Sequence, residues 1–322
     1  MWKTRRKRRI SIALRREGCI FCARYIEMSD GRYRMIAIDL DGTLLSPQGT
    51  VTQRARDSVH RALNAGWLVC FATGRNFTES SRIIDDVGHY ATAVFVGGAM
   101  VIDTRQRVTL HRQLMEPKLA AEVCEELESA GHAALALQDT SAVGVDYLVS
   151  ADIPLNDSTV QWMKVARAAI RTVKNLGEYA HEHTVRVGIV APAAQNAQVR
   201  SRLDERFGDR IYHQSVYVPS SDIEVLEVFD PSVNKWEGIL HVARAHGIDP
   251  SQIIAIGDDV NDIHMIQNAG LGVAMGNAKP QVKELAKQII GSNRDEGLAV
   301  FLEELVEKHA VRPLDPGDAG AV

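Results

Sequence analysis

The sequence predicts an α/β fold in which a parallel-sheet core is interrupted by an inserted α+β domain. Short apolar runs rich in β-branched residues alternate with amphipathic helical patterns over residues 35–113, as in a parallel sheet joined by helices. Over residues 114–222 this alternation gives way to a mixture of helical patterns and strands of alternating polarity, and after residue 222 it resumes. Polar and acidic segments directly follow several apolar runs, which is where open sheets place their ligand sites.

The first part of the core is predicted as three buried strands joined by helices. Apolar residues three and four positions apart predict a helix that begins after Thr52, a preferred N-cap residue, and stops at Gly66. Two short runs around the turn at 104–107 indicate a hairpin. The other predicted elements are strands Met35–Leu40, Trp67–Ala72 and Ala93–Val96, helix Thr78–Val87, and hairpin strands Val101–Asp103 and Val108–His111.

The middle of the chain is predicted as an α+β insertion, because helical patterns mix there with strands of alternating polarity. Its predicted elements are helices Lys118–Ala130 and Val160–Thr172 and strands Val185–Val190 and Ile211–Val218. The core then resumes. Its predicted elements are strands Ile253–Ile256 and Leu271–Ala274 and helices Pro280–Lys287 and Gly297–Lys308.

Charge divides the chain further. The net charge is −4, but residues 1–34 carry eleven Lys/Arg and three Asp/Glu, a net of +8, which leaves −12 for the rest. An acidic body argues against broad binding of nucleic-acid phosphates. We interpret residues 1–34 as a disordered basic extension, with an upstream start, a targeting segment or a basic arm for nucleic acid or lipid as alternatives. The predicted domains are the extension 1–34, a core of 35–113 and 223–308, a cap of 114–222 and a flexible tail of 309–322.

The four cysteines indicate a reduced compartment. Cys19 and Cys22 form a lone CxxC, and no second pair of ligands completes a zinc site in the sequence. Cys70 and Cys124 lie in apolar or amphipathic runs typical of core thiols. No apolar stretch has the length of a membrane-spanning helix. We therefore expect a cytoplasmic protein without a membrane partner.

Two acidic motifs follow buried strands. Asp39 and Asp41 flank Leu40 at the end of the first strand, so both carboxylates leave it on the same side. Such a pair suits Mg²⁺, and it also suits a division of work between a nucleophile and a general acid/base. Gly257–Asp262 (GDDVND) follows the strand Ile253–Ile256, and clustered acids are costly there unless a cation balances them. The alternatives are an ordinary acidic turn and a solvated acidic loop.

Two weaker signals lie between these motifs. Thr73, Gly74 and Arg75 follow the second strand, where a hydroxyl and free backbone N–H groups can bind an anion; the alternative is that Thr73 is a plain N-cap. Lys235 begins a helical pattern and could offset phosphate charge. Taken alone, such a lysine is more often a solvated surface residue.

The segments DLDGTLL, ATGR, Lys235 and GDDVND, in this order, resemble the four motifs of the haloacid dehalogenase-like (HAD) superfamily. Residues 253–278 (IIAIGDDVNDIHMIQNAGLGVAMGNA) resemble its Cof-type subfamily in particular. The insertion lies where that subfamily carries an α/β (C2-type) cap, and the resemblance covers about residues 35–306. It implies a Rossmann-like core that binds Mg²⁺, with the cap selecting the substrate.

The resemblance also implies roles for individual residues. Asp39 is the implied nucleophile and Asp41 the implied general acid/base. Asp39, the backbone carbonyl of Asp41, and Asp258 would hold Mg²⁺, with Asp262 supporting the metal site from outside its direct ligands. The residues implied to bind the phosphoryl group or the substrate are Leu40, Thr73, Gly74, Lys235 and Asn261.

The resulting hypothesis is a Mg²⁺-dependent phosphatase of small phosphorylated metabolites, such as sugar phosphates, that forms an aspartyl phosphate. The alternatives are a phosphomutase or phosphotransferase, and a non-catalytic phospho-accepting or nucleic-acid-associated protein. Asp41 favours turnover, because a receiver-type module lacks this second acid. The family often has Asn-Gly-Ala where this chain has Gly97-Gly98-Ala99, which leaves open what that loop contributes to the substrate. The sequence selects neither one phosphate ester nor an oligomeric state.

Overall fold

The computed structural model describes residues 33–218 and 223–310. Residues 1–32, which hold Cys19, Cys22 and nearly all of the predicted basic extension, lie outside the described residues, as does the predicted tail after residue 310. The remaining cysteines, Cys70 and Cys124, are buried free thiols, as predicted for core residues.

Strands and helices alternate in the first and the last parts of the described chain. In chain order, the strands are β1 (Met35–Ile38), β2 (Leu68–Phe71), β3 (Thr92–Phe95), β4 (Met100–Asp103), β5 (Val108–Arg112), β6 (Leu135–Gln138), β7 (Tyr147–Ser150), β8 (Ile170–Val173), β9 (Thr184–Ala191), β10 (Tyr212–Val218), β11 (Ile223–Phe229), β12 (Ile253–Gly257), β13 (Leu271–Ala274) and β14 (Gln288–Ile289). The helices are α1 (Gln53–Asn64), α2 (Phe77–Val87), α3 (Pro117–Ser129), α4 (Thr140–Val143), α5 (Asp157–Ala166), α6 (Ala193–Phe207), α7 (Lys235–Ala245), α8 (Ile263–Asn268), α9 (Pro280–Leu285) and α10 (Gly297–Ala310).

The core is a parallel sheet of five strands in the order β14-β13-β12-β1-β2. Met35 of β1 lies opposite Ile253 of β12 and Leu68 of β2, and every residue of β1 is buried, as expected for a strand covered on both faces. A single parallel bridge from Ala72 to Val94 places β3 beside β2. From there β3, β4 and β5 form an antiparallel sheet that contains the predicted hairpin. The predicted parallel α/β core is confirmed.

The insertion is built on a second sheet of six strands, in the order β10-β11-β9-β6-β7-β8, which we call the cap sheet. Side chains along β11 alternate between its faces. Leu226 and Val228 pack in a cluster with residues of α3 and α6. Val225 and Phe229 belong instead to the hydrophobic cluster that contains Ile38 of the core sheet. Helices therefore cover one face of the cap sheet. The side chains on its other face pack in the same hydrophobic cluster as residues of the core sheet.

The insertion differs from the sequence-based expectation in several elements, among them strands β6 and β7, which were not predicted. The predicted helix Val160–Thr172 is too long: α5 ends at Ala166, Arg167 adopts a left-handed conformation (φ +54°), and the rest becomes the edge strand β8. Helix α6 was not predicted, because its sequence is mostly polar and only a narrow stripe, including Leu203 and Phe207, is buried.

The predicted boundary between cap and core also shifts. The expected division assigned residues from 223 onward to the core, whereas β11 (Ile223–Phe229) pairs with β9 and β10 in the cap sheet. The chain thus returns to the core after β11, at the turn that leads into α7. The use of these two parts as a catalytic core and a substrate-selecting cap remains a prediction.

The start of α7 is fixed by a close approach between two backbone segments. Asn234 is the N-cap, and its side chain accepts a hydrogen bond from the N–H of Glu237. Gly98 lies directly against the carbonyl of Asn234, with φ +108°, and a Cβ on Gly98 would overlap that carbonyl. Only glycine satisfies both constraints. Gly98 therefore helps to determine where Lys235, the first residue of α7, is placed.

Gly98→Ala is expected to lower the free energy of unfolding by roughly 3 kcal/mol, from left-handed strain plus overpacking against Asn234. Gly49→Ala is the matched control, since Gly49 also has a positive φ (+73°), but a Cβ on it would meet no atom of the described residues within 4 Å. It should lose only about 1 kcal/mol. Urea-induced unfolding measures both values, and equal losses would contradict the role given to the close approach.

Candidate active site

The predicted site residues lie at the carboxyl ends of neighbouring strands. Asp39 follows β1, and its backbone N–H donates to the carbonyl of Ile256 on β12 at 3.0 Å. Thr73 follows β2, with only Ala72 between them, and Asp258 follows β12. Asp39 and Thr73 are both buried. The parallel register of β2, β1 and β12 thus gathers segments from residues 39, 73 and 258 at one edge of the sheet.

A tight turn follows Asp39 and brings it close to the last acidic motif. Leu44 and Leu45 donate backbone hydrogen bonds to Asp39 and Leu40. Gly42 has φ +80°, and a Cβ there would overlap the carboxylate of Asp258, so the close approach requires glycine. The side chain of Leu40 is buried in the hydrophobic core; any contact of Leu40 with a phosphate would have to come from its backbone.

Lys235 joins the first and last motifs. Its Nζ donates to Oδ1 of Asp39 and to Oδ1 of Asp262, at 2.6 Å each, and the side chain is only 1% exposed. Burial by itself would lower the pKa of Lys235, but the carboxylates of Asp262 and Asp39 outweigh burial and raise it. The ammonium is therefore charged, and the alternative interpretation of Lys235 as a solvated surface residue is wrong.

The loop after β12 is folded around Asp262. Oδ2 of this buried carboxylate accepts the backbone N–H groups of Asp258 and Asp259 at 2.9 and 3.0 Å, while Oδ1 accepts Lys235. Asp258 also accepts a hydrogen bond from Asn277 at 3.1 Å. Asp259 is different, since its side chain is about half exposed and is paired with a surface lysine. The alternative of a solvated acidic loop therefore describes Asp259 but not Asp258 or Asp262.

Three carboxylates of this site have the chemistry of a divalent-cation site. One oxygen from each of Asp39, Asp258 and Asp262 lies within 4.8 Å of the others, and hard cations such as Mg²⁺ prefer carboxylate oxygens. Burial, together with repulsion from Asp262 and Asp258, raises the pKa of Asp39 well above its usual value, against the opposing effect of Lys235. Burial, Asp262 and Asp259 raise the pKa of Asp258 to about 7. One ammonium does not balance this cluster, so the residues fit an additional cation.

The loop after β2 orients a second acid. Arg75 donates from Nε and Nη2 to the two carboxylate oxygens of Asp41, at 2.7 and 2.5 Å. The Oγ1 of Thr73 accepts the backbone N–H of Arg75. The N-cap of α2 is Asn76, which forms a capping box with Glu79, so the alternative of Thr73 as an N-cap is wrong. Arg75 was not assigned a role from the sequence, although it stands inside a recognised motif.

A cavity of about 340 Å³ lies between the cap sheet and the core, and of the predicted site residues Asn261 lines it. The rings of Tyr212 and Phe229 stack on its cap side, with centroids 5.9 Å apart. On its core side, the Oδ1 of Asn261 is buried without a hydrogen-bond partner among the described residues. Gly97 also lines the cavity, and a Cβ on it would lie 3.9 Å from Phe229. The position at which the family often has Asn thus faces the cavity.

Comparison with known proteins identifies the family. A model of the haloacid dehalogenase-like hydrolases matches residues 36–302. The chain belongs to this family. The HAD-like family and fold expected from the sequence are therefore confirmed.

Similar proteins match about 84% of the chain. The 5-amino-6-(5-phospho-D-ribitylamino)uracil phosphatase YitU of Bacillus subtilis is 28% identical over 274 residues, 84% of this chain and 96% of that protein. The pyridoxal phosphate phosphatase YbhA of Escherichia coli is 27% identical over 271 residues, 84% and 97% of the two chains. These relatives are named phosphatases, and the prediction of a hydrolase in this superfamily is confirmed.

Solved structures share the fold. A HAD-like hydrolase from Bacteroides thetaiotaomicron superposes with a TM-score of 0.72 at 23% identity, over 85% of this chain and 99% of the other. The subclass IIB sugar phosphatase BT4131 superposes with a TM-score of 0.68 at 18% identity, over 84% of this chain and 98% of the other.

Among residues 33–218 and 223–310 of this HAD hydrolase, every helix is too short or too polar to cross a bilayer.

The buried charges of the site predict different effects of two substitutions on the free energy of unfolding in metal-free buffer. Lys235→Met leaves the carboxylates of Asp39 and Asp262 without their ammonium, and should lower the free energy of unfolding by about 3 kcal/mol. Asp39→Asn removes one of several repelling carboxylates, so it should keep or raise that free energy. Urea unfolding with EDTA present tests the pair; equal losses for the two variants would contradict the charge balance described above.

Proposed function

We propose that this HAD hydrolase is a Mg²⁺-dependent phosphatase of small phosphorylated metabolites, and that it acts through an aspartyl phosphate on Asp39. The observation that supports this most is the placement of Lys235 between Asp39 and Asp262. A buried nucleophilic carboxylate beside a fixed cation is suited to a substrate whose negative charge repels ordinary nucleophiles.

In the first step, a carboxylate oxygen of Asp39 attacks the phosphorus of the monoester. A bond forms between that oxygen and phosphorus, the bond from phosphorus to the ester oxygen breaks, and Asp41 gives its proton to the departing alcohol. Thr73 and Lys235 bind the phosphoryl oxygens, which limits the build-up of negative charge. The product of this half-reaction is an acyl phosphate on Asp39.

In the second step, water replaces the alcohol. Asp41, now ionised, takes a proton from the water as its oxygen attacks phosphorus, and the bond between phosphorus and Asp39 breaks to release inorganic phosphate. Arg75 fixes the direction of Asp41 through both carboxylate oxygens. One acid thus serves as proton donor and then as proton acceptor while the other carries the phosphoryl group.

The proposed ligands of Mg²⁺ are Asp39, Asp258 and the backbone carbonyl of Asp41. When bound, the ion offsets charge on the carboxylates and on the phosphoryl group. Asp262 is proposed to act from outside the direct ligands, because both of its oxygens already accept hydrogen bonds from Lys235 and from the backbone of the same loop. Its work is to hold Lys235 and Asp258 in place.

The leaving group is proposed to occupy the cavity under the cap sheet. Its volume of about 340 Å³ is at the small end of the roughly 300–1,000 Å³ typical of small-molecule sites. Among the described residues that line it there is no Lys or Arg, which favours an uncharged leaving alcohol over one that carries a second anionic group. Asn261 offers a buried amide at the boundary between the cavity and the phosphoryl site. The relatives described above are named as phosphatases of small metabolites, which supports a small phosphorylated metabolite as the substrate.

Asp39→Asn should reduce turnover of a phosphate monoester below detection, because an amide does not act as the nucleophile. Asp41→Asn should lower kcat by about 10²–10⁴-fold, the usual contribution of a positioned acid/base. Asp259→Asn is the control, since Asp259 lies in the same motif but is exposed and paired on the surface; its kcat should be unchanged. Release of inorganic phosphate measures all three, and near-normal turnover by Asp39→Asn would exclude it as the nucleophile.

Removal of the metal should stop the reaction and alter stability. EDTA is expected to abolish phosphate release, and excess Mg²⁺ to restore it. Mg²⁺ should also raise the midpoint of thermal unfolding of the free protein, because it binds only the folded state. The rise should be lost in Asp258→Asn and kept in Asp259→Asn. A chelator-insensitive enzyme, or an equal rise in both variants, would contradict the metal site.

A further inference from the structure

A buried polar network crosses from the cap sheet to the loop that carries Arg75. Its centre is Arg186 on β9, which is only 3% exposed. One guanidinium nitrogen of Arg186 donates to Glu227 on β11 and lies 3.4 Å from the carbonyl oxygen of Gly74; the other donates to the hydroxyl of Tyr147 on β7 at 2.9 Å. A cap residue thus contacts the residue that directly precedes Arg75.

Tyr147 extends the network to the other side of Arg75. Its hydroxyl donates to Oε1 of Glu79 at 3.2 Å and lies 3.4 Å from the side-chain nitrogen of Asn76. Asn76 and Glu79 are the capping box that begins α2. Arg75 is therefore bracketed, since residues on both sides of it are held by side chains of the cap sheet.

We propose that Arg186 is a positioning residue that couples seating of the cap sheet on the core to the placement of Arg75, and through Arg75 to the placement of Asp41. This inference rests on the proposed role of Asp41 as the general acid/base. The coupling crosses from cap to core where Arg186 meets Gly74 and where Tyr147 meets the capping box of α2. The two bonds from Arg75 to Asp41 then lie within the core.

A role in stabilising the fold explains the residues of this network less well than a role in positioning Arg75. A buried ion pair such as Arg186–Glu227 is commonly no more stabilising than apolar residues of similar volume. What distinguishes Arg186 is geometry, because its planar fork reaches Glu227, Tyr147 and the carbonyl of Gly74 together, which a lysine or an apolar side chain cannot do.

The network also reaches the cavity. The other carboxylate oxygen of Glu227 accepts the amide of Gln214 at 2.8 Å, and Gln214 in turn accepts the hydroxyl of Tyr212 at 3.1 Å. Gln214 and Tyr212 both line the cavity. Side chains that face the leaving group are thus linked, through Glu227 and Arg186, to the loop that holds the acid/base. Such a contiguous chain of contacts is testable by energetic coupling.

The test compares two esters that differ in their need for a proton. The alcohol of p-nitrophenyl phosphate leaves without protonation, whereas an alkyl phosphate depends on a placed proton donor. In the double variant Arg186→Met, Glu227→Gln, which removes both charges of the ion pair, kcat on an alkyl phosphate that the wild type hydrolyses should fall about 10-fold or more beyond any fall on p-nitrophenyl phosphate. A purely structural role would lower both by the same factor.

The matched control is Arg200→Met, Glu224→Gln. Arg200 and Glu224 form another ion pair of the cap, and Glu224 lies on β11 three residues from Glu227, so its side chain leaves the opposite face of the sheet. This control should leave the ratio of the two kcat values unchanged. Tyr147→Phe, which removes only the hydroxyl, should shift the ratio in the same direction as the Arg186 variant and gives an independent reading if that variant fails to fold.

The outcomes separate this inference from the proposed function. If the wild type hydrolyses both esters but the Arg186 variant, or Tyr147→Phe where that variant does not fold, keeps the wild-type ratio, the positioning role is wrong and the phosphatase assignment stands. If the wild type releases no phosphate from either ester, or Asp39→Asn remains active, the proposed function itself fails and the positioning role falls with it.

Discussion

The buried ammonium of Lys235 is the interaction on which the rest of the site depends. It joins a carboxylate that follows β1 to a carboxylate of the loop after β12, and it enters from a helix that follows the inserted domain. Without it, Asp39 and Asp262 would be buried like charges close to one another, an arrangement that proteins tolerate only with compensation. Three segments far apart in the chain are therefore held at one edge of the sheet by a single charged group.

The backbone around Lys235 is built to permit this closeness. Gly42 allows the first loop to touch Asp258, and Gly98 allows the turn after β3 to touch the start of α7. These contacts cost conformational freedom and leave no room for a side chain. The cluster of acids also has a raised pKa at Asp39 and Asp258, as is typical of functional sites, where stability is given up for chemistry.

Much of the core and of the chemical centre could be predicted from the sequence, because local signals coincide with global ones there. Buried strands carry continuous apolar runs, and the acids stand directly at their ends. The cap was less predictable. The apolar residues of helix α6 are few and lie within a mostly polar sequence. Charged residues such as Arg186 and Glu227 are typical of a protein surface, and only the fold of the cap sheet shows that they are buried. Arg75 needed the fold as well, since its partner Asp41 is 34 positions away.

The most direct measurement of the central claim is a crystal structure grown with Mn²⁺, which takes the same oxygen ligands as Mg²⁺ and has an anomalous signal. Our account predicts one strong peak in contact with both Asp39 and Asp258, with the Lys235 ammonium still between Asp39 and Asp262. A peak elsewhere with none at this edge of the sheet, or carboxylates of Asp39 and Asp258 too far apart to share the ion, would contradict it.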